Sequence, residues 1–315
     1  MEIWKQFENA KALLFDFINA KQVILWGYEY NAYFIEHMFK ISNKNIEYIV
    51  EDGNVNPRIP ITRSCELTDL SPNKHAVILT GDYSMEVEQF LQKNGFQKNE
   101  HYIYAKDLFL KSGDEKRNIS YFGYLESYYH VDITERKMPE QMEKPAEDCF
   151  MYSPGIGYAL ADVMEQFHIN GKDAVFDFGC GKGGALILFE KYGFKKYGGV
   201  EYDKQLYSVV HKNFDILGLD QSGLINDDAA MLTTELDAYN YFFLYHPFEG
   251  ETFYQVIKNL QMSWKRNQRK ITLLYSGPYC HDLVVKDNCF ILTKKVYTDY
   301  SVRNVNIYVI PEVKS

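Results

Sequence analysis

Residues 175–201 carry the side chains whose types and spacing allow chemistry to be inferred. They begin V-F-D-F-G-C-G-K-G-G, continue through a stretch typical of a helix, and end in G-G-V-E. Gly179, Gly181 and Gly184 satisfy the spacing G-x-G-x-x-G. The apolar run Ala174–Phe178 directly precedes them and is typical of a buried strand. A strand, a tight glycine turn and a helix start in this order predict a nucleotide-type site, where backbone N–H groups approach the ligand.

Asp177 lies two residues before the first glycine and distinguishes between two kinds of nucleotide. A carboxylate here would repel a pyrophosphate, whereas S-adenosylmethionine has no phosphate and carries a sulfonium and an α-ammonium group. Glu201 follows Gly181 by 20 residues, where an acid accepts hydrogen bonds from ribose hydroxyls. Glu201 therefore indicates adenosine, and Asp177 indicates S-adenosylmethionine. A turn-capping role for Asp177 and a solvated strand end for Glu201 remain the alternatives.

From about Tyr152 to the C-terminus the chain resembles class I S-adenosylmethionine-dependent methyltransferases. The matching motifs are D-F-G-C-G-K-G (177–183), G-V-E-Y-D (199–203), N-D-D-A (226–229) and Y-F-F-L-Y-H-P-F (241–248). The resemblance implies that the first motif holds the methionine part of the cofactor, the acid holds the ribose, and Asp228 or the adjacent Asp227 contacts the adenine amino group. The residues thus predicted to bind the cofactor are Asp177, Gly179, Cys180, Gly181, Gly183, Glu201, Tyr202, Asp227 and Asp228.

The motif at 245–248 supplies the candidates for the methyl-accepting side of the site. It reads Tyr-His-Pro-Phe and departs from the Asn/Asp-Pro-Pro-Tyr of amino-methylating nucleic-acid enzymes. His246 and Tyr245 are the candidates to orient or deprotonate an acceptor, since histidine titrates near neutral pH. The alternative for His246 is a strand-end histidine bonded to backbone. We expect Phe248 and Tyr152 to cover the cofactor or the acceptor.

Composition and charge limit the number of domains, the kinds of partner and the location that the protein can have. The chain has 315 residues, enough for two domains, and a formal net charge of −9. The acidic balance argues against a nucleic-acid partner, which usually requires a basic face. The five cysteines, at 65, 149, 180, 280 and 289, form no C-x-x-C pair and are expected to be reduced, with Cys180 packing in the turn. We expect no metal, no membrane span and a cytoplasmic protein, with self-association left open.

The first half of the chain predicts a small Rossmann-like α/β domain over 1–111. Strands are expected at 23–26, 46–50 and 76–79, and helices at 3–19, 31–39 and Met85–Lys93. Glu29 stands where a Rossmann turn has its second glycine, so we expect a scaffold or docking role here rather than cofactor binding. Residues 112–149 are expected to be a connector. Its aromatic stretches 121–124 and 128–130 either line an acceptor pocket or pack one domain against the other.

The second half, 150–315, predicts a Rossmann-like methyltransferase domain with a mostly parallel sheet that ends in a C-terminal antiparallel hairpin. Its expected strands are Ala174–Phe178, 197–201, 223–226, 241–246 and 270–275, with the hairpin formed by 290–297 and 304–310 joined through 298–303. Expected helices are 154–166, Gly184–Lys191, 205–217 and 253–265. Polar residues follow the carboxyl ends of different strands, where parallel sheets bind ligands: Asp177, Glu201, Asp228 and His246.

These observations favour methyl transfer from S-adenosylmethionine to a small-molecule or sugar-derivative acceptor, by O- or N-methylation. Two alternatives remain open at this point. The G-x-G-x-x-G spacing also suits a nicotinamide-dependent oxidoreductase. The second alternative is a non-catalytic binding module that retains a nucleotide fold, since the first domain has a degenerate turn and the catalytic base is uncertain.

Overall fold

Two parallel-rich sheets organise the chain, one in each of two units, Met1–His130 and Val131–Ser315. The division falls within the expected connector 112–149. The computed structural model describes residues 2–28, 30–51, 60–64, 67–81, 85–114, 117–142, 150–154, 157–297 and 304–312. Glu29, Cys65, Cys149 and the hairpin connection 298–303 lie outside the described residues.

The first unit is built on a five-stranded sheet with the order β3-β2-β1-β4-β5, and each neighbouring pair is parallel. Its strands are β1 (Gln22–Trp26), β2 (Tyr48–Val50), β3 (Ile61–Thr62), β4 (His75–Leu79) and β5 (Tyr102–Tyr104). Its helices are α1 (Lys5–Ile18, after a 3₁₀ turn at Glu2–Trp4), α2 (Tyr30–Ile41), α3 (Met85–Lys93), α4 (Ala105–Phe109) and α5 (Tyr121–Tyr129). The short elements β3, β5, α4 and α5 were not among the expected ones.

Helix α5 carries the aromatic stretch into the core of the first unit. The Ser120 hydroxyl caps its start by accepting a hydrogen bond from the Gly123 N–H at 2.8 Å. The ring of Phe7 lies 5.1 Å from that of Tyr121 and 5.3 Å from that of Tyr124, centroid to centroid, and all three side chains are buried. Aromatic pairs at these separations add about 0.5–1.5 kcal/mol each beyond their burial. These tyrosines therefore stabilise the unit's own core.

The second unit contains a seven-stranded sheet with the order β11-β12-β10-β9-β6-β7-β8. Its strands are β6 (Ala174–Phe178), β7 (Lys196–Val200), β8 (Leu224–Ile225), β9 (Tyr241–Leu244), β10 (Ile271–Ser276), β11 (Ile291–Val296) and β12 (Val305–Ile310). Strand β12 runs antiparallel to both of its neighbours, and the remaining neighbouring pairs are parallel. The predicted mostly parallel sheet with a C-terminal antiparallel hairpin is confirmed.

The helices of the second unit explain why its central strands are apolar. They are α6 (Gly157–Met164), α7 (Gly184–Lys191), α8 (Lys204–Leu217), α9 (Gly250–Arg266) and α10 (His281–Val285). Every residue of β6, β9 and β10 is buried, as expected for parallel strands covered on both faces. Burying a side chain such as Phe176 or Phe178 stabilises the fold by about 1.5–3 kcal/mol.

The strand ends set the position of the polar residues. Strand β7 ends at Val200 and β9 ends at Leu244, slightly earlier than the sequence predicted. Glu201, Tyr245 and His246 therefore lie in the loops that follow these strands. The strand order reverses between β6 and β9, since the chain proceeds from β6 to β7 and β8 on one side and then returns to the other. Open parallel sheets bind ligands at such a reversal. Within the described ranges, no helix has the length and apolar character needed to cross a membrane.

Candidate functional site

The turn after β6 places its glycines in conformations that other residues rarely adopt. Gly179 has φ of 74° and Gly181 has φ of 54°, both in the left-handed region. A Cβ atom on Gly181 would lie 2.2 Å from the Tyr152 ring, and one on Gly179 would lie 2.6 Å from the Cβ of Pro247. Glycine is therefore required at both positions by backbone conformation and by close packing.

Glu201 joins the glycine turn to the next strand. Its Oε2 accepts a hydrogen bond from the Gly181 N–H, and its Oε1 accepts one from the Asp203 N–H, each at 2.9 Å. Burial raises the pKa of this carboxyl group, and the backbone donors partly offset that rise. An ionised carboxylate has about four acceptor positions, so these bonds leave Glu201 able to accept further ones.

The same local geometry follows strand β1 of the first unit. The Gly27 N–H donates to the Val50 carbonyl at 2.8 Å, as the Gly179 N–H donates to the Val200 carbonyl at 2.9 Å. The Tyr28 N–H then donates to Oε2 of Glu51 at 2.9 Å. Each unit therefore ties its glycine turn to an acid that follows the neighbouring parallel strand. Glu29 lies outside the described residues, and the scaffold or docking role of this unit stays a prediction.

Asp177 is the most unusual group of the second unit's site. It lies within β6, opposite Gly199 and Phe243 in the neighbouring strands, and is only 3% exposed. Among the described residues, no hydrogen bond to its carboxylate is found. Burial, and secondarily the charge of Glu201, raise its pKa well above the usual value. Because buried carboxylates are normally paired, Asp177 is suited to hold a positively charged or hydrogen-bond-donating group of a ligand.

Cys180 packs within the turn, as the sequence predicted. Its side chain is buried, and a Cβ on Gly199 would lie 2.7 Å from the Cys180 Cβ. Burial, with smaller contributions from Asp177 and Glu201, raises the pKa of the thiol well above its usual value. The thiol is therefore protonated and has no nucleophilic character at neutral pH.

Two segments of the second unit, 131–137 and 150–152, contact the glycine turn and the loop after β7; we call them the covering segments. Lys137 and Tyr152 pair through backbone hydrogen bonds of 2.9 and 3.2 Å. The Tyr152 hydroxyl donates to the Ile133 carbonyl at 2.8 Å. Lys137 Nζ donates to Asp203 at 2.8 Å and to Gln205 at 2.9 Å. The Tyr152 ring thus lies against the turn at Gly181, and its role as a cover over a ligand stays a prediction.

An ion pair between the buried Lys182 and the half-exposed Asp132 anchors the first covering segment to the glycine turn. Lys182, 5% exposed, donates from Nζ to the Asp132 carboxylate at 2.5 Å. The Asn213 side chain accepts from the Asp132 N–H at 2.9 Å and donates to the carbonyls of Asp132 and Lys182. These bonds fix the turn from the side of helix α8.

The loop after β8 places the predicted adenine-binding residues near Glu201. Asn226 donates to the carbonyl of Glu201 at 2.8 Å and to that of Tyr202 at 3.2 Å. Asp228 caps a 3₁₀ turn by accepting from the Ala230 N–H at 2.9 Å. Asp227 is exposed and accepts from the Asp228 N–H at 2.8 Å, and the Tyr202 side chain is 44% exposed. Asp227 and Tyr202 thus present accessible side chains.

His246 follows β9 in a strained conformation and is surrounded by aromatic rings. Its φ is 45°, and its side chain is 7% exposed. Its Nδ1 lies 3.0 Å from the Tyr275 hydroxyl, and its ring centroid lies 4.6 Å from that of Phe150 and 4.7 Å from that of Tyr279. A non-glycine residue in this backbone region is retained only when its surroundings enforce it, frequently at functional sites.

The residues next to His246 in the sequence, Tyr245, Pro247 and Phe248, differ in their burial and in the elements that they contact. Pro247 contacts Gly179, and its carbonyl accepts from the Phe150 N–H at 3.1 Å. Tyr245 is half-buried. Phe248 is 4% exposed and lies in the apolar cluster beneath the sheet edge, with its ring 6.4 Å from that of Phe253. Pro247 thus joins the 245–248 motif to the glycine turn, whereas Phe248 is placed in the core.

The sequence did not identify several residues that shape this site. Tyr275 ends the apolar part of β10, and the rule that selected His246 from its strand end would have selected it too. Phe150 and Lys137 border a charged, proline-containing tract without periodicity, so no sequence signal marked them. Tyr279 follows Gly277-Pro278 in a turn, where an exposed tyrosine is unremarkable. Among the described residues, no cluster of three or more histidine, cysteine or acidic side chains is arranged to hold a metal ion.

The mostly parallel sheet of the second unit, with β12 antiparallel beside β10, fits the class I S-adenosylmethionine-dependent methyltransferase fold that the sequence resemblance predicted. No family model matches the chain, and no curated protein matches it.

The solved structures with a similar fold include methyltransferases of low sequence identity. A ribosomal protein methylase from Lactobacillus delbrueckii subsp. bulgaricus is 14% identical, with 50% of this chain and 78% of that chain covered and a TM-score of 0.39. A SAM-dependent methyltransferase from Aquifex aeolicus is 15% identical (48% and 89% covered, TM-score 0.38). The magnesium protoporphyrin IX methyltransferase of Synechocystis is 17% identical (48% and 75% covered, TM-score 0.36).

Proposed function

We propose that the unit Val131–Ser315 binds S-adenosylmethionine and transfers its methyl group to an oxygen or nitrogen of a small-molecule or saccharide acceptor. The observation that carries this proposal is the Asp177 carboxylate, buried beside the glycine turn with no hydrogen bond found to it among the described residues. A cationic group of a ligand would neutralise this buried carboxylate and donate hydrogen bonds to it.

Electrostatics separates this ligand from a dinucleotide. A unit charge at 4 Å from a carboxylate interacts by about 4 kcal/mol at an effective dielectric constant of 20. The sign is favourable for the ammonium or sulfonium of S-adenosylmethionine and unfavourable for each phosphate of NAD. Glu201, which is also buried with a raised pKa, adds to the same preference. The site thus supports a ligand with positive charge and without phosphate.

The residues around the turn fit the remaining parts of the cofactor. Glu201 retains acceptor positions for the ribose hydroxyls. Asp227 and Asp228 are the proposed acceptors for the adenine amino group, and the half-exposed Tyr202 ring is the proposed stacking surface. A Cβ on Gly179 or Gly181 would meet Pro247 or Tyr152, so glycine at these positions lets both residues pack against the turn.

S-adenosylmethionine supplies a methyl group on a positively charged sulfur, and in its transfer the S–C bond breaks with its electron pair remaining on sulfur. The task of the chain is to align the acceptor atom and exclude water. Tyr152 and the covering segments close the turn from one side, and His246 and Tyr245 orient the acceptor from the other. An acceptor that carries a proton on its nucleophilic atom must lose it as the new bond forms.

The reduced state of the cysteines supports a cytoplasmic location as part of the proposal. Cys180, Cys280 and Cys289, the cysteines within the described ranges, are free thiols. Free thiols persist in reducing compartments. The charge of −9 supports an acceptor other than nucleic acid.

The proposal is tested by incubating the protein with S-adenosylmethionine and a panel of carboxylic acids, phenols, amines and saccharides. The release of S-adenosylhomocysteine and the mass of the acceptor are measured together. We expect a methylated product from at least one class and none with the variant Asp177→Asn at the same cofactor concentration. Cofactor binding without transfer to any acceptor would favour the non-catalytic binding module, and oxidation or reduction with NADH would favour the oxidoreductase.

A further inference from the structure

The hydrogen bond between His246 and Tyr275 determines which ring nitrogen carries the proton. Tyr275 lies in β10 opposite Leu244 of β9, two residues before His246, and its side chain is fully buried. The phenol oxygen and the Nδ1 of His246 are 3.0 Å apart. In a neutral imidazole one nitrogen donates and the other accepts, so the direction of this bond fixes the tautomer.

The surroundings of Tyr275 indicate that its hydroxyl is the donor. The phenol oxygen accepts a hydrogen bond from the Cys280 N–H at 3.3 Å. Burial raises the pKa of Tyr275 above its ordinary value, so the phenol keeps its proton. That proton has two nearby acceptors, the imidazole nitrogen of His246 and the sulfur of Cys280. A thiol sulfur is the weaker acceptor, so the proton is directed to His246 Nδ1.

We infer that Tyr275 is a positioning residue, which holds His246 with its proton on Nε2, so that His246 acts on the acceptor as a hydrogen-bond donor and not as a base. The role of His246 toward the acceptor rests on the proposed function, whereas the assignment of its tautomer does not depend on that function. The left-handed backbone of His246, with φ of 45°, is consistent with a side chain whose direction is imposed by this bond.

The tautomer selects the chemistry of the acceptor. An Nε2–H group stabilises an oxygen that carries a lone pair and negative charge. An ionised carboxylate or phenolate is such an acceptor, and it needs no proton removed. In the transfer the oxygen lone pair forms the O–CH₃ bond, the S–CH₃ bond breaks, and its electron pair stays on sulfur. The exposed rings of Phe150 and Tyr279 beside His246 offer a surface for a flat apolar body. The substrate class is therefore an aromatic carboxylate or phenolate.

The chain supplies a matched control for Tyr275 on the adjacent strand. Tyr308, in β12, is fully buried like Tyr275 and has its hydroxyl 2.8 Å from the Nδ1 of His281. It also accepts a hydrogen bond from the Asn306 amide at 2.8 Å. Replacing either tyrosine by phenylalanine removes one buried hydroxyl bonded to one histidine, so a general loss of packing affects both variants alike.

The first test measures the tautomer directly by nitrogen-15 NMR of histidine-labelled protein, without any cofactor or acceptor. We expect His246 of the unmodified protein to be protonated on Nε2 at neutral pH. Tyr275→Phe should shift the His246 nitrogens toward a mixture of tautomers, and Tyr308→Phe should leave them unchanged while altering those of His281. A proton on Nδ1 in the unmodified protein, or an unchanged His246 spectrum in Tyr275→Phe, would overturn the inference.

The second test separates donor from base by activity. His246→Gln retains an N–H donor but cannot take up a proton, and His246→Ala retains neither; both carry the same backbone strain. With a carboxylate or phenolate acceptor, we expect the glutamine variant to stay within about tenfold of the unmodified protein and the alanine variant to lose about a hundredfold or more. Equal losses in both would refute the donor role. Absence of methyl transfer to any acceptor, with Nε2 protonation observed, would refute the proposed function and leave the tautomer assignment standing.

Discussion

Replacing Asp177 by asparagine is predicted to stabilise the free protein while weakening its complex with S-adenosylmethionine. The carboxylate is buried, its pKa is raised well above the usual value, and no hydrogen bond to it is found within the described residues. Asparagine has nearly the same shape and no charge. The substitution therefore removes a desolvated charge from the free protein and removes a charged partner from the complex.

The stability change follows from the direction of the pKa shift. As pH rises above about 3.8, the carboxyl group ionises first in the unfolded chain, so the folded state loses relative stability. The loss is complete once the pH exceeds the raised pKa of the folded state. Each unit of that rise corresponds to about 1.4 kcal/mol. For a domain of about 185 residues, 1.4 kcal/mol corresponds to about 3–5 °C in Tm. At high pH, the Tm of Asp177→Asn should therefore be higher than that of the unmodified protein by about this amount for each unit of the pKa rise.

The affinity change has the opposite sign. Removing one partner of a buried charge pair costs about 2–5 kcal/mol of binding free energy. That range corresponds to a loss of about thirtyfold to several thousandfold in affinity. The assays are calorimetric titration with S-adenosylhomocysteine and thermal unfolding, both at pH 8 and both on the same preparations.

Asp173→Asn is the matched control for this experiment. Asp173 precedes β6 at its opposite end, is 8% exposed, and accepts hydrogen bonds from the Asn170 N–H at 2.9 Å and the Asn240 amide at 2.8 Å. Its replacement should lower stability by about 1–3 kcal/mol and leave the affinity per folded molecule unchanged. A decrease in Tm with unchanged affinity for Asp177→Asn would refute the reasoning.

Three further outcomes are expected. Gly181→Ala should displace Tyr152 and thereby weaken S-adenosylhomocysteine binding at least tenfold. The control is Gly193→Ala: Gly193 also has a positive φ but has open space around it, so its replacement should lower stability alone. Equal affinities of the two variants would contradict the packing argument. Affinity should rise as pH increases through the raised pKa values of Asp177 and Glu201, with protons released on binding; calorimetry in buffers of different ionisation enthalpy would detect this. Glu201→Gln should weaken adenosine binding as well as S-adenosylhomocysteine binding, and unchanged adenosine affinity would contradict the ribose role.

Much of the second unit was predictable because its signals are local. The boundaries of β6 and α7 follow directly from the apolar run Ala174–Phe178 and the glycines after it. Glu201 could be placed at the turn because parallel neighbouring strands end at the same sheet edge. The hairpin was predicted from alternation of apolar and polar residues, and β11 with β12 confirmed it.

The remaining features depend on contacts between distant parts of the chain. The Tyr275–His246 bond joins residues 29 positions apart, and no local pattern encodes its geometry. The contact of Tyr152 with Gly181 was expected only as a cover over the pocket, and the ring lies against the turn itself. Phe248 was predicted to lie at the site because it follows a proline at a strand end. Its burial depends instead on packing against Phe253 of helix α9, which is a contact that no local pattern encodes.

The most direct test of the account is a calorimetric comparison of S-adenosylhomocysteine and NADH as ligands of the unmodified protein and of Asp177→Asn. The account predicts that S-adenosylhomocysteine binds the unmodified protein more tightly than NADH does, and that the variant reduces this preference by weakening the first ligand alone. Tighter binding of NADH to the unmodified protein, strengthened further when the Asp177 charge is removed, would contradict it.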